Sequence, residues 1–567
     1  MMTVEGIRSR ESRIEGRRPA TEPETQHGVS RVVVIADDLP PARLRTFLAS
    51  YRDQELFVIA PAEHAEWGLD ASRHRFLTFD DEESPGRHLE RLGPVDRIVV
   101  VRSASAEVQA AMLRELLFHL SPEGLYVVAL DPASEVTTTD EFGALLRTLA
   151  GDGGVVPRDV RELRRAALRV RVGRRWIRVR KTGRHFLKLR DDSATRLLRS
   201  RGSRTKVDEL VVAPGDTFRA GTEIVSHGAS KELAGLATTV LTPPLHLRHY
   251  QGHVGLVSNA LTLTDHEVLP DSFRHHLNRR PSNPRLVDAD ARFGRVPQRL
   301  MPRDDLGGSY YLLDSENSGH FGHLLTEVIS RLWGWDRAKQ DDPDLRAIFR
   351  IRYPQERDPA LERTIFSAFG IAEEDIAWVD HPVRLESMYA ATPMFHNSRP
   401  HYVHPGIRAI WQRIRDGLPV QDGPTWEKVF VSRRDTYGNR RCLNREEVEG
   451  YFSDAGFEVI YPEDFSLSRQ AQVFSQARTI AGFGGSGMFN ALFADRLETM
   501  IVLTHEAYTA RNEALIALPL DVRLHYFWNA PEIAHPVGGW TREAYKSAWT
   551  FDLPRHRDEL EQVLQDG

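Results

Sequence analysis

The feature that most constrains this sequence is an alternation of apolar strands and amphipathic helices that begins near Val429 and ends in a glycine-rich turn. It predicts a first strand, a helix over 445–455, a strand over 457–461, a helix over 468–477 and a strand over 478–481. Apolar strands separated by helices favour a parallel sheet that is covered on both faces. The pattern therefore predicts half of a nucleotide-binding α/β sheet.

The turn after the last of these strands reads GFGGSGMFN, and a helix is predicted to begin at Met488. A glycine-rich turn at a helix N-terminus lets backbone N–H groups approach an anion closely. Its spacing differs from the dinucleotide fingerprint G-x-G-x-x-G, and no acidic residue about twenty positions later is placed to read a ribose. Two interpretations stay open: phosphate binding, and tight packing of a strand against a helix.

Two arginines follow the first strand of this unit, where VFVSRR places Arg433 and Arg434 directly after Ser432. Ligands of parallel sheets bind at the carboxyl ends of the strands, and the guanidinium fork suits a pyrophosphate. Further on, Asn444 is predicted to cap the next helix, with Glu447 at the capping-box position. The strand end therefore predicts an anion site close to the glycine-rich turn.

A second polar cluster lies in SYYLLDSENSGHFGHLLTEVISRLW, where a strand runs into a polar turn and then a helix from about Phe321. His323 and Glu327 are four residues apart and share one helix face, and His320 lies near the helix start. A carboxylate can orient an imidazole or raise its basicity, as a general base requires. A structural histidine is the alternative interpretation.

The N-terminal part repeats the strand and helix alternation over residues 31–150 and predicts a Rossmann-like domain. Its segment LLFHLSPEGLYVVALD resembles the later part of class I methyltransferases. The first turn, ADDLPPA, lacks the glycine loop that holds a methyl donor or a dinucleotide. We therefore favour a degenerate domain used for docking or assembly over an active methyltransferase.

An arginine-rich stretch over residues 158–206 holds nineteen basic and four acidic residues, although the whole chain has a net charge of −5. Within it, RRWIRVRKTGRHFLKLR alternates apolar and basic residues, which predicts a hairpin turning at Lys181–Gly183. A solvated face partly paired with acidic residues is the favoured interpretation. Contact with an anionic membrane or a polyanion is the alternative. Nucleic-acid binding is not expected, because no recognised nucleic-acid-binding motif accompanies the stretch.

Composition places few further limits on the chain. Its 567 residues are 41% hydrophobic and 27% charged, typical of a soluble globular protein of about two to four domains. No apolar run reaches the roughly 18 residues that span a membrane, and the polar N-terminus predicts a disordered tail over residues 1–30 rather than a secretory signal. The one cysteine, Cys442, excludes an intrachain disulfide. We expect a cytoplasmic protein, with a peripheral position at the inner face of the membrane as the alternative.

Two D-x-D triplets, Asp288-Ala-Asp290 and Asp342-Pro-Asp344, are weak candidates for a metal site on a nucleotide sugar. Such triplets arise easily by chance, and neither is favoured as a metal site. No metal ligand is therefore predicted from the sequence.

The joint order of the motifs GHLLTEVISRLW, VSRRD, LNREEV, GFEVIYPEDFSL and GSGMFNALF resembles glycosyltransferase family 61, the DUF563 group, often described as capsular polysaccharide biosynthesis proteins. The resemblance covers about residues 300–530. It implies an α/β fold with a GT-B-like pair of Rossmann-like lobes, preceded here by the additional Rossmann-like N-terminal domain. It also implies inverting transfer from a nucleotide sugar, the co-substrate, to a saccharide, lipid-linked or other hydroxyl acceptor, with no cofactor and no essential metal.

The family's H-x-x-x-E motif falls on His323 and Glu327, and His320 stands where relatives often have Asn. His323 is the expected base with Glu327 as its orienter, and the reverse assignment stays open. At Gly484 relatives often carry His, so this chain contacts the donor differently or uses another donor. The donor-side residues predicted from the strand end and the resemblance together are Ser432, Arg433, Arg434, Arg441 (with Arg440 as the alternative), Asn444 with Arg445 or Glu446, Pro462, Glu463, Gln470, Gly485, Ser486, Gly487 and Asn490.

These observations divide the chain into five parts. They are a tail (1–30), a methyltransferase-like and degenerate Rossmann-like domain (31–152), an arginine-rich connector (153–206), an acceptor-side lobe (207–420) and a nucleotide-sugar-binding lobe (421–567). The main alternative is a non-catalytic scaffold subunit of a polysaccharide-assembly complex that binds nucleotide sugars or glycans. A methyltransferase fused to a transferase is disfavoured by the missing first glycine loop.

Overall fold

A computed structural model describes residues 30–566, with the exception of 37–43, 45–46, 52–53, 62–73, 80–83, 102–104, 130–139, 152–155, 158–159, 174, 202, 229–236, 352–357 and 435–437. The predicted tail lies outside the described residues except for Ser30. The described residues form a mixed α/β structure with three large sheets, which agrees with the predicted α/β class. No helix among them is both long enough and apolar enough to cross a bilayer.

The N-terminal sheet has seven strands, of which the first five in spatial order are parallel and the last two form an antiparallel hairpin. Its central parallel strand is apolar and buried, as the uninterrupted run Val32–Ile35 shows. The spatial order is His74–Phe79, Glu55–Pro61, Arg31–Ala36, Val95–Val101, Leu120–Ala129, Trp176–Lys181 and Ala167–Val172. The helices of this part are Pro85–Leu92, Ala106–Leu116, Glu141–Ala150, Arg161–Ala166 and Ala194–Ser200, with 3-10 turns at Ala49–Tyr51 and Leu117–His119.

The arginine-rich stretch supplies the hairpin at the edge of this sheet, with strands Ala167–Val172 and Trp176–Lys181. The predicted turn at Lys181–Gly183 was wrong, because the chain turns between residues 172 and 176. Beyond Gly183, which has a φ of 70°, the chain leaves this sheet and enters the central one. The prediction failed because both flanking segments alternate apolar and basic residues, so either turn satisfied the pattern.

The central sheet has eleven strands. Four adjacent strands run parallel to one another, namely Val383–Ala391, Asp304–Leu312, Arg346–Arg350 and Ile376–Val379, and Glu267–Val268 also pairs in parallel with Phe186–Lys188. The strands besides the adjacent four are Val287–Asp288, Phe293–Arg295, Phe186–Lys188, Glu267–Val268, Thr262–Leu263, Leu245–Leu256 and Lys206–Ala213. The helices of this part are Trp335–Asp341, Ala360–Phe369 and Ile407–Gly417, with 3-10 turns at Pro270–Ser272, Gln298–Leu300 and Glu373–Asp375.

The carboxylates of the two D-x-D triplets contact the protein itself. Lys188 Nζ lies 3.1 Å from Asp288 Oδ1 and donates to the backbone carbonyl of Asp290. In the other triplet, Asp342 Oδ1 accepts the backbone N–H of Asp344 at 3.0 Å. These contacts give the triplets a structural explanation.

The C-terminal sheet has six parallel strands. In spatial order they are Glu223–His227, Arg523–Asn529, Thr499–His505, Thr479–Phe483, Lys428–Val431 and Glu458–Ile460. Its helices are Arg445–Asp454, Leu467–Gln476, Asn512–Leu520, Arg542–Tyr545 and Leu553–Asp566, with 3-10 segments at Pro462–Asp464 and Ser486–Phe493. Small two-stranded sheets pair Asp216–Arg219 with Thr239–Thr242 and Phe395–His396 with Tyr402–Val403.

The predicted order of strand, helix, strand, helix and strand before the glycine-rich turn is confirmed in this sheet. One hydrophobic core joins the central and C-terminal sheets. It includes Leu325 and Val328 from the helix that carries His323, and Met488 and Leu492 from the segment that follows the glycine-rich turn. Shared packing therefore holds the two predicted functional segments together, while the GT-B arrangement itself stays a prediction.

Candidate active site

The segment that carries His323 is an irregular helix. Its α-helical start at Phe321–His323 is followed by a π-helical turn at Leu324–Val328 and a 3-10 segment at Ile329–Gly334. Such π turns within helices often occur at functional sites. The predicted apolar side is buried, which leaves His323 and Glu327 on a shared face.

His323, Glu327 and Arg274 form a hydrogen-bonded row. Glu327 Oε1 lies 2.7 Å from His323 Nδ1 and 2.5 Å from Arg274 Nε. Burial alone would raise the pKa of the Glu327 carboxyl, but Arg274 and His323 outweigh burial and lower that pKa to about 2. Glu327 is therefore an ionised acceptor, and whenever the imidazole of His323 is neutral this hydrogen bond places its proton on Nδ1 and its lone pair on Nε2. The geometry favours His323 as base and Glu327 as its orienter.

The low pKa of Glu327 predicts a loss of stability in acid. A carboxyl whose folded pKa is about 2, against an ordinary value of 4.5, contributes stability that is present above the unfolded pKa and disappears as the pH falls through the folded one. This contribution is about 3 kcal/mol at neutral pH. Urea unfolding of the wild type and Glu327→Gln should give free energies that differ most at pH 7 and converge between about pH 4.5 and pH 2. A difference that is constant over this range would contradict the assignment.

Gly322 brings the His323 helix into contact with the segment after the glycine-rich turn. A Cβ atom at Gly322 would lie 2.9 Å from a ring carbon of Phe489 and 3.1 Å from Ser486 Cβ. Real Cβ atoms are essentially never found as close as the first of these distances. The absence of a side chain at Gly322 therefore sets the separation of the two segments.

We expect Gly322→Ala to destabilise the protein by about 1–3 kcal/mol, because the added methyl group overpacks this contact. Turnover should fall as well, since His323 is the next residue. Gly450→Ala is the matched control, because a Cβ there meets nothing within 4 Å and the position is helical. Thermal unfolding measures both variants, and equal stability of the two would show that the close approach at Gly322 is unimportant.

The glycine-rich turn has features of both interpretations left open by its sequence, close packing and anion binding. At Gly482 a Cβ would lie 2.5 Å from the carbonyl oxygen of Val431, so this glycine permits close packing of neighbouring strands. Gly485 has a φ of 146°, a conformation that favours glycine, and a Cβ there would lie 3.0 Å from Arg440 Nη2 and 3.6 Å from Arg433 Nη1. The turn therefore brings two guanidinium groups to its surface.

The backbone N–H of Gly485 has a partner within the chain, which differs from the expected amide contact with a pyrophosphate. It donates to Glu513 Oε1 at 2.8 Å, and the hydroxyl of Tyr508 donates to the same oxygen at 2.9 Å. Glu513 is fully buried, and burial raises the pKa of its carboxyl despite these donors. In this conformation, the Gly485 amide is therefore already engaged, and the cationic groups beside it are Arg433 and Arg440.

Arg440 is held between two tyrosine rings. Its guanidinium carbon lies 4.7 Å from the ring centre of Tyr508 and 5.3 Å from that of Tyr545. No carboxylate in the described part of the chain forms an ion pair with it. A cation that is positioned by aromatic rings and forms no ion pair with the described carboxylates is suited to an external anion.

A cleft of about 690 Å³ brings these groups together. Its walls include Arg274 and His275 from one side, and Trp540 from the C-terminal lobe. The predicted residues that line it are His320, His323, Gly485 and Ser486, together with Arg440, the alternative to Arg441. The His323 helix and the glycine-rich turn, far apart in sequence, therefore face one cavity.

Several predicted donor-side residues lie outside the lining of the cleft. Buried Ser432 donates its hydroxyl to Glu449. Asn444 directly precedes its helix, but the predicted side-chain cap was wrong, because its side chain makes no capping hydrogen bond. Its amide instead exchanges two 2.9 Å hydrogen bonds with the backbone of Phe551. Arg441 is exposed, and its backbone carbonyl accepts the N–H of Trp549. The contacts of these residues lie within the C-terminal lobe and stabilise it around the cleft.

Three more of these residues organise the turns of the lobe. Glu463 Oε1 accepts the backbone N–H of Arg434 at 2.6 Å, and the guanidinium of Arg434 pairs with Asp464 at the surface. Gln470 Nε2 donates to the carbonyl oxygen of Pro462 at 2.8 Å. These contacts hold the turns of the lobe in place, and none of the three residues lines the cleft.

Asn490 is fully buried beneath the glycine-rich turn. Its Nδ2 donates to the carbonyl oxygen of Gly487 at 3.1 Å. Gly487 itself packs on Val431, because a Cβ there would lie 3.2 Å from Val431 Cγ1. Asn490 and Gly487 therefore fix the shape of the turn.

Sequence reasoning missed Arg274, Glu513 and Trp540. Arg274 and Glu513 carry no motif and approach the site only through folding, so no local pattern indicated them. Trp540 stands in a Gly-Gly-Trp turn and is 57% exposed, which is unusual for a tryptophan beside a cleft. That exposure is a structural signal without a counterpart in the sequence.

The structural comparison identifies only partial likenesses. MycE methyltransferase from the mycinamycin biosynthetic pathway is 18% identical, with 27% of this chain and 41% of that chain covered and a TM-score of 0.21. An O-methyltransferase family protein from Burkholderia thailandensis is 12% identical, with 28% of this chain and 52% of that chain covered and a TM-score of 0.19. Human N-acetylserotonin methyltransferase is 12% identical, with 27% of this chain and 48% of that chain covered and a TM-score of 0.18. This chain thus spans about half or less of each of these structures, and no curated protein sequence matches it.

A family model described as Glycosyltransferase 61 matches residues 321–501. The matched range begins with the His323 helix and includes Arg433, Arg440 and the glycine-rich turn. The resemblance found in the sequence is thereby confirmed for this part of the chain. Residues 321–501 are therefore the part of the chain that is similar to the glycosyltransferase 61 family.

Proposed function

We propose that this protein is an inverting glycosyltransferase that moves a sugar from a nucleotide-sugar donor to a saccharide, lipid-linked or other hydroxyl acceptor. A role in cell-surface polysaccharide biosynthesis is part of the proposal. The observation that carries it is the placement of His323 and Arg440, both within the range matched by the glycosyltransferase 61 model, in the wall of one cleft. A proton acceptor and a site for a leaving phosphate are the two requirements of sugar transfer.

The donor half of the proposal uses Arg440 and Arg433. Their guanidinium groups converge on Gly485, so a pyrophosphate there would meet two positive charges. Trp540 lines the same cleft with an exposed indole, which suits stacking against a nucleobase or a sugar ring. We propose that guanidinium charge, without an essential metal, neutralises the leaving nucleoside diphosphate.

The acceptor half uses His323. Its Nε2 takes the proton of the acceptor hydroxyl while that oxygen attacks the anomeric carbon and the bond from this carbon to the phosphate oxygen breaks. Ionised Glu327 holds the imidazole and stabilises the imidazolium that forms. Attack from the side opposite to the leaving group inverts the anomeric centre. We further propose that the central and C-terminal sheets belong to the two lobes of a GT-B-like transferase.

One observation favours a second function. Glu513 already occupies the Gly485 amide, and Gly484 replaces the His common in relatives, so the donor half departs from the family pattern. A non-catalytic subunit that binds nucleotide sugars or glycans within an assembly complex would tolerate both features. Binding without turnover distinguishes this alternative.

The test is nucleoside-diphosphate release from a panel of nucleotide sugars, with mixed glycan acceptors, by the wild type and His323→Gln. We expect release from at least one donor by the wild type and a large loss in the variant. Nuclear magnetic resonance of the product should show an anomeric configuration opposite to that of the donor, and retention would contradict the mechanism. Nucleotide binding without release would support the scaffold, whereas neither binding nor release would contradict both functions.

A further inference from the structure

We propose that the hairpin Ala167–Lys181 binds the surface of an anionic lipid bilayer. The hairpin lies at the edge of the N-terminal sheet and outside the range matched by the glycosyltransferase 61 model. It holds six arginines, one lysine and no acidic residue. Contact with an anionic membrane is the alternative that the sequence leaves open for the arginine-rich stretch, and the proposal names the hairpin as the surface that makes this contact. The proposal does not depend on the transferase reaction.

The register of the hairpin places its arginines on one face. Arg169 pairs with Arg180 and Arg171 pairs with Arg178, while the intervening pair Val170 and Val179 points to the opposite face. All four arginines are exposed. Like charges directly opposite each other destabilise an antiparallel pair, so a bound anionic surface would relieve a repulsion built into the fold.

Few protein carboxylates offset this charge. Arg180 Nε pairs with Glu123 at 2.9 Å. Within the described ranges no carboxylate forms an ion pair with Arg169, Arg171 or Arg178. The favoured interpretation from the sequence, a face paired with acidic residues, thus applies to one of these four arginines. Among the residues that the structure describes, the other three have no carboxylate partner, on a chain that is weakly acidic as a whole.

An exposed apolar residue distinguishes this face from a purely ionic one. The register shifts between Ala167 and Arg169, and this bulge leaves Leu168 55% exposed beside the arginines. Arg178 lies 3.9 Å above the ring centre of Trp176, which stands at the turn. Arginine beside leucine and tryptophan matches the boundary between lipid headgroups and acyl chains.

A bilayer fits these features better than a nucleic acid does. Single-stranded nucleic acids bind where exposed aromatic rings stack on bases, but the Trp176 ring carries Arg178 on its face and packs on the turn, 3.2 Å or less from a Cβ at Gly173. The strand Ala167–Val172 is the open edge of the sheet, so the basic face is accessible from the side. Anionic headgroups are therefore the partner to which we commit.

The test is co-sedimentation of the full chain with phosphatidylcholine vesicles with and without phosphatidylserine. We expect binding that requires phosphatidylserine, weakens with salt, and falls at least about 20-fold in Arg169→Glu/Arg171→Glu, since each basic residue near such a surface contributes about fivefold. Leu168→Ser should weaken binding without changing its salt dependence. Arg219→Glu/Arg496→Glu is the control, because it makes the same charge change at exposed arginines outside the hairpin.

Circular dichroism and nucleoside-diphosphate binding of each variant confirm that the rest of the protein is intact. Binding that is absent, that does not need phosphatidylserine, or that falls equally in the control would overturn the proposal. Tighter binding to DNA than to vesicles, with the same sensitivity to Arg169 and Arg171, would assign the face to nucleic acid instead. Loss of nucleotide turnover with vesicle binding retained would bear on the transferase proposal alone.

Discussion

Replacing His323 by glutamine should lower kcat by about 100- to 10,000-fold, the range typical of losing a positioned general base. Glutamine keeps a polar side chain of similar length that can still donate to Glu327, so the helix should remain folded. It has no basic nitrogen, and the acceptor hydroxyl would lose its proton to water. Affinity for the donor should change little, because the proposed donor contacts are Arg440 in the wall of the cleft and Arg433 beside Gly485.

The control for this experiment is His320→Gln. His320 lines the same cleft, with its ring 5.8 Å from that of His323, but its contacts do not include the 2.7 Å bond that orients His323 on Glu327. We expect a much smaller loss of kcat in His320→Gln. If the two variants lost activity equally, or if His320→Gln lost more, the assignment of His323 as the base would be wrong.

Replacing Arg440 by alanine should raise the KM for the donor by about 10- to 150-fold, which corresponds to one lost charge-assisted hydrogen bond. The two tyrosine rings hold the guanidinium in place before the donor arrives, so little conformational entropy opposes its contact. If leaving-group charge also develops beside Arg440, kcat should fall as well. Initial rates of nucleoside-diphosphate release at varied donor concentration measure both constants.

Arg441→Ala is a matched control one residue away. Arg441 is exposed and lies outside the lining of the cleft, yet its removal changes the net charge by the same amount. We expect donor KM in Arg441→Ala to stay close to that of the wild type. A larger effect at Arg441 than at Arg440 would reverse the choice between these two neighbours, which the sequence left open.

The sequence predicted the parts of the site that local periodicity encodes. The spacing of His323 and Glu327 placed them on one face, and the hydrogen bond between them agrees with that geometry. The strand and helix alternation placed Arg433 at a strand end, near the glycine-rich turn. Each of these inferences depends on a repeat of 3.6 or 2 residues, or on the order of elements in a parallel sheet.

Contacts between distant segments escaped sequence reasoning for a physical reason. Arg274 reaches Glu327 across 53 positions of the chain, and Glu513 reaches Gly485 across 28. Neither spacing is periodic, so only the folded core brings these pairs together. The glycine-rich turn is the clearest case, because its composition predicted a free amide while the structure shows a buried carboxylate bound to it.

The hairpin Ala167–Lys181 shows that sequence reasoning is also limited in predicting which strands pair. Alternation of apolar and basic residues predicted a hairpin, but the predicted pairing of the strands on either side of Lys181–Gly183 was wrong. Pairing with Leu120–Ala129 decides the matter, because it requires Trp176–Lys181 to run as one continuous strand. The register of a strand depends on its neighbours in the sheet, so the sequence of a single strand does not determine it.

The most direct test of the account is calorimetric titration of nucleoside diphosphates into three proteins: the wild type, Arg433→Ala/Arg440→Ala, and Arg434→Ala/Arg441→Ala. Each double variant removes two positive charges, but only the first pair converges on Gly485. We predict that at least one nucleoside diphosphate binds the wild type and the Arg434→Ala/Arg441→Ala variant with similar affinity, and that binding to Arg433→Ala/Arg440→Ala is lost. Equal binding to all three proteins would contradict a donor site in this cleft.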